Sequence, residues 1–197
     1  AASHWPGPLT LVLKRKYIVP NLVTSGLATV AVRVPSHPMA RALLTELDFP
    51  LAAPSANPFG YVSPTKPTHV FRQLGTKIPY ILDGGPCRIG LESSIISLTD
   101  RKPVMLRKGG LPLEDIEKII GSRIEVRTHG SSNPTAPGML AQHYSPSANF
   151  ELVSERDMTF WSENLSEADS IQALLLFGVG ELAQDERVID LSPLQSL

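Results

Sequence analysis

The chain has 197 residues, 42% of them apolar, a formal net charge of −1 and one cysteine, Cys87. That apolar content suits a soluble core, and no apolar run approaches the roughly 18 residues that cross a bilayer. One cysteine excludes an intrachain disulfide and fits a cytoplasmic setting. The near-zero charge argues against a broad basic face, so no strong direct nucleic-acid binding is expected.

The N-terminus shows no charged-then-apolar leader. The run AASH at 1–4 lacks an initiator Met and leads at once into WPGP, so we expect the chain to begin within a domain. Strands are predicted over 9–13 and 28–34. In the second, Val30, Val32 and Val34 alternate with Thr29, Ala31 and Arg33, a period of two that puts the two sets on opposite faces. Arg33 and Thr29 on one face suit either a ligand or solvent. Ser36 is predicted to cap a helix with Pro38 in its first turn and a buried stripe of Met39, Leu43 and Leu47.

A short apolar strand is expected at 50–54. It leads into the loop SANPFGYVSPT at 55–65, where Thr65 is placed to cap a helix ending near Gly75. A strand at 80–82 precedes the turn Asp83-Gly84-Gly85-Pro86, and a strand pair is predicted at 94–98 and 104–107. A helix over 112–120, with Leu113, Ile116 and Ile120 inward and Gly121 ending it, precedes a last strand at 124–126. Proline, 18 residues against a usual ~5%, is read as stiffening loops between these elements.

Composition changes at 128–149, where GSSNPTAPG at 130–138 lacks periodicity and reads as a linker. A strand at 150–153, a helix at 158–165 and a strand at 171–177 form a β-α-β pattern. The expected division is therefore a first domain over 1–127, a linker over 128–149 and a partial α/β domain over 150–197.

The common nucleotide signatures are missing. The sequence holds no G-x-x-x-x-G-K-[ST] loop, no G-x-G-x-x-G after a strand and no paired Cys or His spacing for zinc. Three loops carry hydroxyls, amides or cations instead. Ser55, Asn57, Ser63 and Thr65 share one, Ser93 and Ser94 close a second, and Arg107-Lys108-Gly109-Gly110 forms a third. With Arg33 on a strand, these groups suit an anionic ligand, since Ser and Thr hydroxyls, backbone N–H groups and Arg forks hold phosphate without a P-loop. His4, His37, His69 and His129 read as surface or capping groups; His143 beside Tyr144 is the better functional candidate.

In this order, WPGPLT (5–10), RVP (33–35), APSANPFG with SPT (53–60, 63–65), DGGP (83–86), GLESS (90–94) and LRKG (106–109) resemble the YrdC-type threonylcarbamoyl-AMP synthases. The likeness runs from about residue 4 to 121. GMLAQHYSP at 138–146 is similar to the linker of two-domain members, which carry an additional C-terminal Rossmann-like α/β domain. The resemblance implies an α/β (α+β) fold, a twisted mixed sheet around a large cavity. It implies an enzyme joining L-threonine, bicarbonate and ATP, with Mg2+, into threonylcarbamoyl-AMP and pyrophosphate. A partner transferase then uses the product on tRNA.

By motif, the resemblance assigns ATP contacts to Thr29, Ser55, Ser63, Arg107 and Tyr144, with Asn57 completing the S-x-N pair. It assigns L-threonine to Arg33, the Ala53 backbone and Ser93. Ser55, Asn57 and Arg107 would carry the chemistry, with no metal ligand among the side chains and no general base named. These types make sense: an Arg fork pairs a carboxylate at two points, and Arg107 offsets charge building on the α-phosphate. The P-T-E-T-x-Y-G-type stretch and K-x-R pair of the family are absent from this sequence. We therefore expect these residues alone to be inactive and the parent protein to be active. Two other readings share the fold, an RNA-binding or regulatory protein without synthase activity and a carbamoyl-AMP-forming carbamoyltransferase module.

Overall fold

The computed structural model describes residues 1–127 and two short strands, Leu174–Leu176 and Val188–Asp190. The chain divides into two compact units, Ala1–Ser147 and Ala148–Leu197. The expected linker at 128–149, the elements at 150–153 and 158–165, and Tyr144 with His143 lie outside the described residues.

In the first unit the elements follow as β1 (Leu9–Lys14), β2 (Thr29–Arg33), α1 (Pro38–Thr45), α2 (Pro67–Leu74), β3 (Ser94–Ser97), β4 (Val104–Arg107), α3 (Leu113–Ile120) and β5 (Glu125–Val126). The five strands form one sheet in the order β2-β1-β3-β4-β5. β1 runs antiparallel to β2 and parallel to β3; β3 and β4 are antiparallel, and β4 and β5 parallel. This is the mixed sheet that the family resemblance implies. In the second unit β6 (Leu174–Leu176) lies parallel to β7 (Val188–Asp190). β6 falls within the strand expected at 171–177; β7 has no counterpart in the sequence reading.

Register sorts the side chains by face, because directly paired residues point the same way. Leu9, Leu11, Ile96 and Met105 form one core with Leu111, Ile116 and Ile124, so α3 and its flanking loops cover that face. Val12, Ile95, Val104 and Leu106 form a smaller cluster. Four successive residues of β1, Leu9 to Val12, are buried, as suits a central strand packed on both faces. α3 carries Glu114 and Asp115 in its first turn and Lys118 in its last, as the helix dipole favours. It ends at Gly121, whose φ of +75° gives the left-handed cap that glycine adopts without strain.

Arg15 braces the β1–β2 connection. Its guanidinium donates to the Leu27 and Val19 carbonyls at 3.0 and 2.9 Å and to Asn21 Oδ1 at 2.5 Å.

Several expectations fail between residues 36 and 91. No strand forms at 50–54 or 80–82. Prolines at 50 and 54 remove ladder donors, and neither segment finds a partner strand. α1 begins after His37 rather than Ser36 and buries no residue; Met39 and Leu43 are 39% and 43% exposed. Its apolar periodicity is real, but among the described residues nothing covers it enough to bury a side chain. Lys66, not Thr65, precedes α2. In α3, Ile116 is buried and Leu113 packs on the core, but Ile120 is 40% exposed at the last turn.

Candidate functional site

The sheet face opposite α3 carries the polar residues of interest. Thr10 pairs with Arg33 on β2 and with Ile95 on β3, and Ile95 pairs with Arg107 on β4. Arg33, Thr10, Ile95 and Arg107 therefore line up across four strands of one face. Ser93, two residues before Ile95, shares it. Thr29 lies on this face as well, opposite Lys14, but four residues from Arg33, or about 13 Å along the strand.

Hydrogen bonds tie Thr10, Ser93 and Arg107 together, and a separate one holds Arg33. Thr10 Oγ1 and Ser93 Oγ are 2.7 Å apart, both residues buried. Arg107 donates from Nε and Nη2 to the Ser93 carbonyl at 3.1 and 2.9 Å, and from Nη2 to Ser93 Oγ at 3.2 Å. Arg33 Nε donates to the Gly7 carbonyl at 3.0 Å, while Gly7 N–H donates to the Val34 carbonyl at 2.9 Å. Partial loss of water around Arg33 and, after it, the nearby positive charge of Arg107 hold its guanidinium below the ordinary arginine value. Even so lowered, Arg33 stays charged at neutral pH, since an ordinary arginine loses its proton only in strongly basic solution. Two cations thus face each other across a buried Thr–Ser pair, an arrangement that an arriving anion relieves.

A second set of bonds fixes the loops around Ser93. Ser94 is fully buried; its Oγ donates to the Leu111 carbonyl at 2.6 Å and accepts from Leu111 N–H at 3.2 Å. Gly110 N–H donates to the Glu92 carbonyl at 2.7 Å. A Cβ on Gly109 would run into the backbone of Glu92, Ser93 and Ser94, so glycine is needed for the close approach. Ser94 is thus a lock between loops rather than a group facing a ligand. Ser63 reaches this brace from the loop at 55–65, its Oγ donating to Glu92 Oε1 at 2.6 Å.

The predicted site residues therefore separate into groups. Arg33, Ser93 and Arg107 come together, with Ser63 attached through Glu92. Asn57 is turned into its own loop, its Nδ2 donating to the Pro58 and Tyr61 carbonyls, each at 3.0 Å, while its buried Oδ1 has no partner among the described residues. Ser55 and Ala53 are exposed on the same segment, and among the described residues they make no hydrogen bond to the arginine row. Two hollows lie elsewhere. One of about 300 Å3 is lined by Ser36, Pro38, Arg41, Ala42 and Thr45. The other, about 190 Å3, is an apolar cleft beside α3 that includes His4, Leu98 and Ile119.

Sequence reasoning missed Thr10 and Glu92. The signal for Thr10 was a hydroxyl inside an apolar strand, between Leu9 and Leu11. Glu92 stood within a quoted motif, but nothing in the sequence showed which loop its carboxylate would meet. Among the described residues no group of three or more His, Cys, Asp or Glu could hold a metal ion, and no helix is long and apolar enough to cross a membrane.

Fold and site together define a mixed-sheet α/β protein that gathers two arginines and two hydroxyls on one face of its sheet. The chain belongs to the Sua5/YciO/YrdC family, described as "telomere recombination", which matches residues 1–109. The family described as "Threonylcarbamoyl-AMP synthase, C-terminal domain" matches residues 111–191, so its N-terminal limit precedes α3. A threonylcarbamoyl-AMP synthase of Pyrococcus abyssi is 52% identical over 156 residues, covering 78% of this chain and 46% of the relative. One of Bacillus subtilis is 48% identical, covering 73% and 42%. The crystal structure of P. abyssi Sua5 complexed with L-threonine matches with a TM-score of 0.72 and 50% identity, over 75% of this chain and 44% of that one. The chain spans less than half the length of these relatives.

Proposed function

We propose that this chain is part of an L-threonylcarbamoyladenylate synthase. The protein would join L-threonine, bicarbonate and ATP to give threonylcarbamoyl-AMP and pyrophosphate. In the cytoplasm, a partner transferase would carry the threonylcarbamoyl group to tRNA. The observation that carries this reading is the facing of Arg33 and Arg107 across the buried Thr10–Ser93 pair. The likeness to a relative crystallised with L-threonine supports it.

In this reading Arg33 takes the threonine carboxylate through its guanidinium fork, with Ser93 and the Ala53 backbone beside it. Arg107, anchored by its bonds to Ser93, sets positive charge toward the α-phosphate, where negative charge grows as pyrophosphate leaves. Ser55, Asn57, Ser63, Thr29 and Tyr144 supply the remaining nucleotide contacts. Mg2+ would arrive on the triphosphate, held by phosphate oxygens and water rather than by a cage of side chains, as is usual for that ion. The protein's part is to position and to stabilise charge, and Ser93 anchors Arg107 for that role.

Titration of L-threonine into wild-type and Arg33→Ala protein, at full length, tests this. The variant is expected to lose about 2 kcal/mol, roughly 30-fold in affinity, at the lower end for a charge pair because Arg33 is exposed. Unchanged threonine affinity would remove Arg33 from the site. Absence of threonine- and ATP-dependent pyrophosphate release from the wild type would remove the synthase reading.

A further inference from the structure

We infer that Glu92 is a positioning residue that sets the direction of the Ser63 hydroxyl, so that Ser63 meets the nucleoside half of the nucleotide rather than its phosphates. The inference rests on the synthase reading, which places Ser63 at ATP. It starts from one contact, Ser63 Oγ donating to Glu92 Oε1 at 2.6 Å across 29 residues of sequence. A serine hydroxyl has one proton and two lone pairs. A carboxylate accepts but does not donate, and 2.6 Å is the short distance of an O–H···O− bond. The proton of Ser63 is therefore committed to Glu92, and only lone pairs remain to face a ligand. Phosphate oxygens are acceptors and gain nothing from lone pairs. A ribose hydroxyl or the adenine amino group is a donor and fits them.

The backbone of Glu92 is held independently of Ser63. Its carbonyl accepts from Gly110 N–H, and its neighbour Ser93 is gripped by Thr10 and Arg107. The carboxylate thus projects from the braced part of the sheet, while Ser63 stands on the loop at 55–65 beyond any strand. Orientation passes from the rigid partner to the loop, and Glu92 acts through Ser63.

Calorimetric Kd values for ATP and for inorganic tripolyphosphate, measured on wild type, Glu92→Ala, Glu92→Gln, Ser63→Ala and the double alanine variant, test this. Glu92→Ala and Ser63→Ala are each expected to weaken ATP about 5–30-fold, the range of one lost hydrogen bond to a well-placed group. Tripolyphosphate binding should stay within about twofold. The double variant should bind ATP no more weakly than the worse single, and Glu92→Gln, which keeps an acceptor oxygen, should recover to within about threefold. Unchanged ATP binding in Glu92→Ala, equal loss of tripolyphosphate, or a double variant whose loss is the product of the singles overturns the inference. A wild type that binds no ATP overturns the synthase reading itself and takes the inference with it. Amide exchange separates positioning from unfolding. Glu92→Ala should speed exchange across 60–66 and leave 94–97 protected, and loss of protection at 94–97 would mean that Glu92 holds the fold instead. Should Glu92→Ala fail to fold, Ser63→Ala decides alone, by weakening ATP without weakening tripolyphosphate or by failing to.

Discussion

Two regions of the first unit, both rich in apolar residues, have opposite fates. The strands and α3 bury Leu9, Leu11, Ile95, Ile96, Val104 and Met105 to 8% exposure or less. The stretch from 36 to 91 leaves Phe59, Phe71, Tyr80 and Leu82 at 61–88% exposure, and neither of its helices buries a residue. Helical periodicity is present in both stretches. What differs is a surface to pack against: α3 has the sheet, whereas α1 and α2 have none among the described residues. Amphipathic pattern permits burial; a complementary face produces it.

The contrast can be broken most forcefully from the sheet side. Met105, with no accessible surface, is central to the α3-facing core; Met105→Ala is expected to cost about 2–5 kcal/mol in denaturant unfolding. A loss below about 1 kcal/mol would mean that this core is not where stability resides. Gly109→Ala should come next, at about 1–3 kcal/mol, because the added methyl meets backbone that cannot swing aside. Since the displaced segment carries Ser93, the same variant should also lose affinity for L-threonine, checked by calorimetry. The smallest effect is expected from Leu43→Ser in α1, within about 0.5 kcal/mol by the same denaturant measurement. A cost above about 2 kcal/mol there would show that α1 is covered in solution and would erase the contrast.

Much of the sheet could be read in advance. Alternation in β2 placed Thr29, Ala31 and Arg33 on one face, and register confirms it. The break signal at Gly121 is likewise a left-handed cap. Arg33 and Arg107 could be singled out by type, but not as neighbours, since they lie 74 residues apart and meet only because β1 and β3 run side by side between their strands. The same limit explains the errors. Residues 50–54 and 80–82 have strand-like composition but no partner, and a strand exists only as part of a ladder. Ser94 read as a ligand-loop hydroxyl until its bonds to Leu111 showed it closing the interior.

The sequence by itself determined the period of each element, its punctuation by proline and glycine, and a set of charged and hydroxyl groups suited to an anion. These follow from local sterics and from alternation along a single strand, which need no other part of the chain. Only the tertiary structure decided that Arg33 and Arg107 share a face with Thr10 and Ser93, that Glu92 reaches Ser63, and that α1 goes unburied. Those outcomes depend on strand order and on which surfaces meet, and contacts between distant residues arise only when the chain closes on itself.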